Sequence, residues 1–121
     1  MRDRRSGDTE DTDMPLEGNE KDWKLFRSRL PGWQEAYMEK LLKEYIKLLQ
    51  KKSNASDRFW ELEKRIKQDK KNPGVQLRIE KSETIYNIVY LIRLKVIKIE
   101  DIAEFSDELK QEVERILGDE L

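Results

Sequence analysis

The 121-residue sequence predicts an all-α fold, a small single-domain helical bundle of about five helices. Three observations carry that prediction. Apolar residues recur at three- and four-residue spacing through most of the chain. Residues suited to helix caps stand ahead of several of these stretches. Polar–apolar alternation, the mark of a strand, is confined to one short segment.

The first 21 residues hold Met1, Met14 and Leu16 as their only apolar side chains. So little apolar surface does not offset the entropy of ordering, and residues 1–21 are expected to be a disordered acidic tail. Asp22 is the expected N-cap of a short helix carrying Trp23, Leu25, Phe26 and Leu30. Pro31 then suits the first turn of a long helix to about residue 52. Its apolar residues, from Trp33 and Tyr37 to Leu48 and Leu49, cover roughly 220° of the helix wheel. A stripe that wide calls for more than one neighbour, and with Trp60 it is the expected contact surface.

Residues 53–56 read as a loop, with Ser56 capping a helix to about 71. Its stripe is Phe59, Leu62 and Ile66, and Trp60 falls beside it. Asn72-Pro73-Gly74 breaks the pattern. Val75, Leu77 and Ile79 then alternate with polar residues, and 75–79 with 96–99 form a candidate two-stranded element. Between them, apolar residues surround a helix over 83–95 on nearly all sides, which marks it as the central one. Two short helices, at 100–105 and 107–117, complete the 22–117 domain. Ser106 caps the last, Gly118 ends it, and 118–121 form a C-terminal tail.

The net charge of −1 conceals a segregation of charge. Residues 1–21 carry net −3, residues 40–81 carry +7 and residues 98–121 carry −6. A basic middle therefore lies between acidic ends. Two readings follow. The lysines are solvated and internally paired, through Glu39–Lys43, Glu61–Arg65 and Glu63–Lys67 and by docking of the acidic C-terminal helices. Alternatively, Lys64, Lys67, Lys70 and Lys71 meet an anion or a nucleic acid. A helix-turn-helix is disfavoured because 107–117 presents net negative charge where phosphates would lie.

The chain contains no histidine and no cysteine. Their absence removes the usual acid/base near neutral pH, the strongest nucleophile and the common soft-metal ligands. No glycine-rich phosphate loop is present. The run Asp8 to Asp13 lacks the central glycine and closing glutamate of a calcium loop. No enzyme activity, cofactor, metal or small-molecule substrate is therefore expected. The polar start and the lack of a long apolar run predict a soluble cytoplasmic chain without a membrane span. Asn54-Ala55-Ser56 matches a glycosylation pattern only by coincidence on that reading.

The aromatics of the first half are expected to be core, apart from Trp60. With Arg58 and Lys64 beside it, Trp60 is the candidate anchor for a protein partner. A non-enzymatic interaction or regulatory module, working through a protein partner or self-association, is the expected function. A nucleic-acid accessory protein using 40–81 is the alternative.

Two stretches and a third segment carry a resemblance. They are Asp22-Trp23-Lys24-Leu25-Phe26 through Leu30-Pro31-Gly32-Trp33-Gln34-Glu35-Ala36-Tyr37-Met38, Phe59-Trp60-Glu61-Leu62-Glu63-Lys64-Arg65-Ile66 through Lys71-Asn72-Pro73-Gly74-Val75, and Asp101-Ile102-Ala103-Glu104-Phe105-Ser106-Asp107-Glu108-Leu109. Over 22–117 the chain resembles an uncharacterised family of small cytoplasmic proteins from Gram-positive, clostridia-like bacteria, some labelled as transporters. The resemblance implies a bacterial origin and assigns no site residues.

Overall fold

The computed structural model describes residues 19–121. Among them are four α-helices: α1 (Glu20–Leu49), α2 (Ala55–Asp69), α3 (Thr84–Arg93) and α4 (Asp107–Leu117). Short 3₁₀ turns occupy Lys81–Glu83, Ile99–Ile102 and Gly118–Glu120. The tail expected over 1–21 falls mostly outside the described residues, as does the run Asp8 to Asp13.

The core is built where α1 begins. Phe26 and Leu30 of α1 pack with Ile85, Ile88, Val89 and Leu91 of α3 and with Leu109, Val113 and Leu117 of α4. Ile97, Ile102 and Phe105 close it from the connecting segments. Trp23, Phe26, Trp33 and Phe105 form a run of tilted rings with centroids 6.2–6.4 Å apart, an arrangement that adds to their area burial. The α3 helix is central, as its composition predicts, but not enclosed. Tyr86, Tyr90 and Leu94 on one side of it remain exposed.

The expected break at Pro31 does not occur. Pro31 lies inside one thirty-residue helix. Its missing N–H removes a single intrahelical bond. The buried Phe26 and Leu30 before it and the half-buried Trp33 after it hold both sides in helical register. The N-cap is Asn19, whose Oδ1 accepts from the Asp22 N–H at 2.7 Å, so Asp22 does not cap the helix. Likewise Asn54, not Ser56, stands at the α2 N-cap. Ser106 caps α4 as expected, its Oγ accepting from the Leu109 N–H at 3.2 Å. Gly118, with φ +52°, follows its end.

No strand forms among the described residues, so the candidate pairing of 75–79 with 96–99 is not realised. The helix α3 takes up the backbone donors that such a pairing would need. Lys95 adopts a left-handed φ of 62°. The Val96 N–H then reaches the Leu91 carbonyl at 2.9 Å and the Lys95 N–H reaches Ile92 at 3.0 Å. This is a Schellman closure of α3. The alternation over 75–79 has another cause: Leu77 and Ile79 lie against the core while Gln76, Arg78 and Glu80 face water. The segment 118–120, expected as a tail, is a 3₁₀ turn whose Glu120 pairs with Arg93 of α3 at 2.9 Å.

Candidate functional site

Beyond the core, α1 continues and α2 folds back along it as an antiparallel hairpin. The seam between them is largely polar. Arg65 of α2 bridges Glu44 of α1 and Asp69 of its own helix, its Nε 3.0 Å from Asp69. The Tyr45 hydroxyl donates to Asp69 Oδ2 at 2.5 Å, and the Arg65 guanidinium stands over the Tyr45 ring at 5.6 Å. Burial, together with the bond to Asp69, pushes the Tyr45 hydroxyl up to about 12. Lys51 pairs with Glu61 at 2.9 Å, nearer the turn.

Asn72-Pro73-Gly74 pins the far end of α2 to α1. Asn72 Nδ2 donates to the Tyr37 hydroxyl at 3.1 Å, and Gln34 Nε2 donates to the Pro73 carbonyl at 3.0 Å. Gly74 passes so close to Tyr37 that a Cβ there would overlap the ring. The turn itself is held by the Gly74 N–H donating to Asn72 Oδ1 at 2.7 Å.

These contacts leave α2 without a single buried residue. Its Phe59 and Trp60 are 62% and 63% exposed and meet edge to face, with centroids 4.9 Å apart. On α1, Leu41 and Leu48 are buried, whereas Leu42 and Ile46 are 53% and 54% exposed and Leu49 is exposed as well. The wide stripe of α1 therefore has one neighbour here, and part of it stays open. Leu42 and Ile66 meet at one cleft, and Arg58, the neighbour of Phe59, reaches the Leu49 carbonyl. A cleft of about 210 Å³ runs between the helices, lined by Met38, Leu41, Leu42, Tyr45, Ile66 and Val75, with Asp69 and Lys70 as its polar lining. Small-molecule pockets start at roughly 300 Å³ and carry convergent polar groups. This cleft is smaller and almost wholly apolar, a shape suited to side chains.

The site residues expected from sequence separate in three dimensions. Trp60, Lys64 and Lys67 recur at helical spacing along the outer side of α2, and Lys71 follows just past its end, all exposed. Lys70 instead borders the cleft. Arg58 turns inward, its Nη1 donating to the Leu49 carbonyl at 2.8 Å, where it caps α1. Of the expected helix pairs, Glu63–Lys67 forms at 3.1 Å. Arg65 and Glu61 take cross-helix partners, and Glu39–Lys43 does not close. The acidic C-terminal segment does not neutralise the hairpin: among the described residues, Glu104 pairs with Arg29 and Glu120 with Arg93. Leu42, Ile46 and Leu49 belong to the wide stripe that the sequence offers as a contact surface, although its width alone does not single out these three as the open part.

Among the described residues no helix is long and apolar enough to cross a membrane. No group of three or more acidic side chains there stands placed to hold a metal ion. No protein-family model, curated protein or solved structure matches the chain.

Proposed function

We propose that the protein is a non-enzymatic interaction module whose working surface is the open apolar face of the α1–α2 hairpin. One observation carries the reading. A helix without a buried residue displays Phe59 and Ile66 to water, and its neighbour displays Leu42, Ile46 and Leu49, with Leu42 and Ile66 sharing one cleft. Scattered exposed apolar residues are ordinary, but a contiguous set of this kind marks an interaction site. Aromatic anchors beside aliphatic ones are the usual centres of binding energy.

Photo-crosslinking in cells that express the protein tests the reading. A benzoylphenylalanine at position 46 or 59 is expected to give a discrete adduct, to another protein or to a second copy, while the same group at the exposed Glu114 of α4 gives none. Absence of any discrete adduct from 46 and 59 would overturn it.

A second reading rests on the outer side of α2, where Trp60 stands in line with Lys64, Lys67 and Lys71. Such a row fits the phosphates and bases of a nucleic acid. The expected mark is an electrophoretic shift that collapses between about 50 and 200 mM salt and is lost when the three lysines become Glu. No shift at either salt concentration would remove this reading.

A further inference from the structure

We infer that the occupant of the open hairpin face is an acidic amphipathic helix of another protein, seated along the Leu42/Ile66 cleft as the third helix of a bundle. The inference rests on the interaction-module reading and specifies its partner.

The shape comes first. Met38, Leu42, Ile46 and Leu49 follow one another at four-, four- and three-residue spacing, and Phe59, Leu62 and Ile66 at three and four. Two antiparallel helices with such rows along one side offer a groove that a third helix fills by the same packing rules. From Met38 to Leu49 the groove is about 17 Å long at 1.5 Å per residue, so roughly three to four turns of helix cover it.

Charge then selects the occupant. Residues 40–71 hold eleven basic and five acidic side chains. Lys40, Lys43, Lys47, Lys52, Lys64, Lys70 and Lys71 form no ion pair among the described residues. Lys43 follows Leu42 on the α1 side, and Lys70, which borders the cleft, follows Ile66 on the α2 side. Against them stand Glu39 on α1 and, on α2, Glu63 and the cleft-lining Asp69, which are already held by Lys67 and Arg65. The balance favours carboxylates on the flanks of an incoming helix.

The alternatives within this chain fit worse. Leu42 lies 23 residues along α1 from Asn19, about 35 Å away at 1.5 Å per residue. Met14 and Leu16, no more than five residues before Asn19, reach roughly 18 Å at full extension, and Met1, the other apolar residue there, is a single side chain and not a stripe. A second copy laid face to face would oppose two hairpins of like charge. The most acidic helix of a second copy, α4, keeps Leu109, Val113 and Leu117 in its own core and has no open apolar stripe to offer.

A selection experiment decides the matter. A display library of helices of about 15 residues, with a fixed leucine stripe and flanks randomised among Glu, Lys, Gln and Ser, is selected on the full chain. The Ile46→Asp variant serves as counter-target, with Phe59→Ser as a second one should the first fail to fold. The inference expects Glu-rich flanks, at least tenfold weaker binding to either variant, and a roughly two- to fivefold loss for each of Lys43→Glu and Lys70→Glu. Neutral or Lys-rich flanks would overturn the acidic partner while leaving the open face standing. A dimer seen by sedimentation and abolished by Ile46→Asp would do the same, as would a nucleic-acid complex abolished by it. Helices that never distinguish the chain from both variants would overturn the open face itself.

Discussion

Asp22 and Ser106, 84 residues apart, are joined by two hydrogen bonds. The Ser106 N–H donates to Asp22 Oδ1 at 3.0 Å, and the Ser106 hydroxyl donates to Oδ2 at 2.6 Å. The same hydroxyl oxygen accepts from the Leu109 N–H, so a buried carboxylate on α1 fixes the cap of α4. Asp22→Ala is expected to cost about 2–3 kcal/mol, the range for a bond to a charged group plus its stranded partner. For a domain of this size that is a Tm lower by roughly 10–20 °C. Ser106→Ala removes the cap and leaves the carboxylate short of a donor. The two losses are expected to be strongly non-additive in a double-mutant cycle; simple additivity would separate the residues energetically.

Pro31 gives a test of the long helix. Inside a helix, proline is up to about 3 kcal/mol worse than alanine. Pro31→Ala should therefore stabilise the protein, by about 1–3 kcal/mol in chemical denaturation. A helix that began at Pro31 would gain nothing from the change, since the first turn favours proline.

Lys95 occupies the left-handed position that closes α3. Lys95→Gly relieves that conformation and is expected to add roughly 0.5–1 kcal/mol. A loss of stability would mean that the closure does not form.

These two positions also show how far the sequence could be read. The spacing of apolar residues predicts an all-helical domain, and Ser106 and Gly118 mark the last helix at both ends, because caps are local chemistry. Pro31 and Lys95 mislead for the opposite reason. Packing by Phe26, Leu30 and Trp33 overrides the local preference of the first. The second stands where glycine would have announced a helix end, so 96–99 reads as a strand. Trp60 is legible as a surface residue because it falls beside its stripe. The stripe of α1 is legible as a contact surface, but which part of it stays open is not, since that depends on long-range contacts of Arg65, Asp69, Glu61 and Asn72 that set how α2 packs on α1.

Tyr45 reports on that polar seam. Its hydroxyl, ordinarily near 10.0, is raised to about 12 by burial and by the bond to Asp69. A folded-state value above the unfolded one means that the contribution is full below pH 10 and is lost as pH rises towards about 12. Phenolate absorbance should show a late component in the native protein that Tyr45→Phe reduces, the rest belonging to Tyr37, whose hydroxyl burial also raises. That variant should also lose less stability than the parent over the same pH window. An unchanged late component would place the raised group elsewhere.

If the apolar face of the hairpin is open to water in the isolated protein, charges placed on it leave the fold intact. Ile46→Asp with Phe59→Asp alters two side chains that are more than half exposed. Substitutions at open positions usually stay within about 0.5 kcal/mol each, whereas removing packed core side chains costs several. Urea denaturation of the double variant is expected to match the parent within about 1 kcal/mol. A loss of about 3 kcal/mol or more would show that these residues are already buried, and would contradict the account.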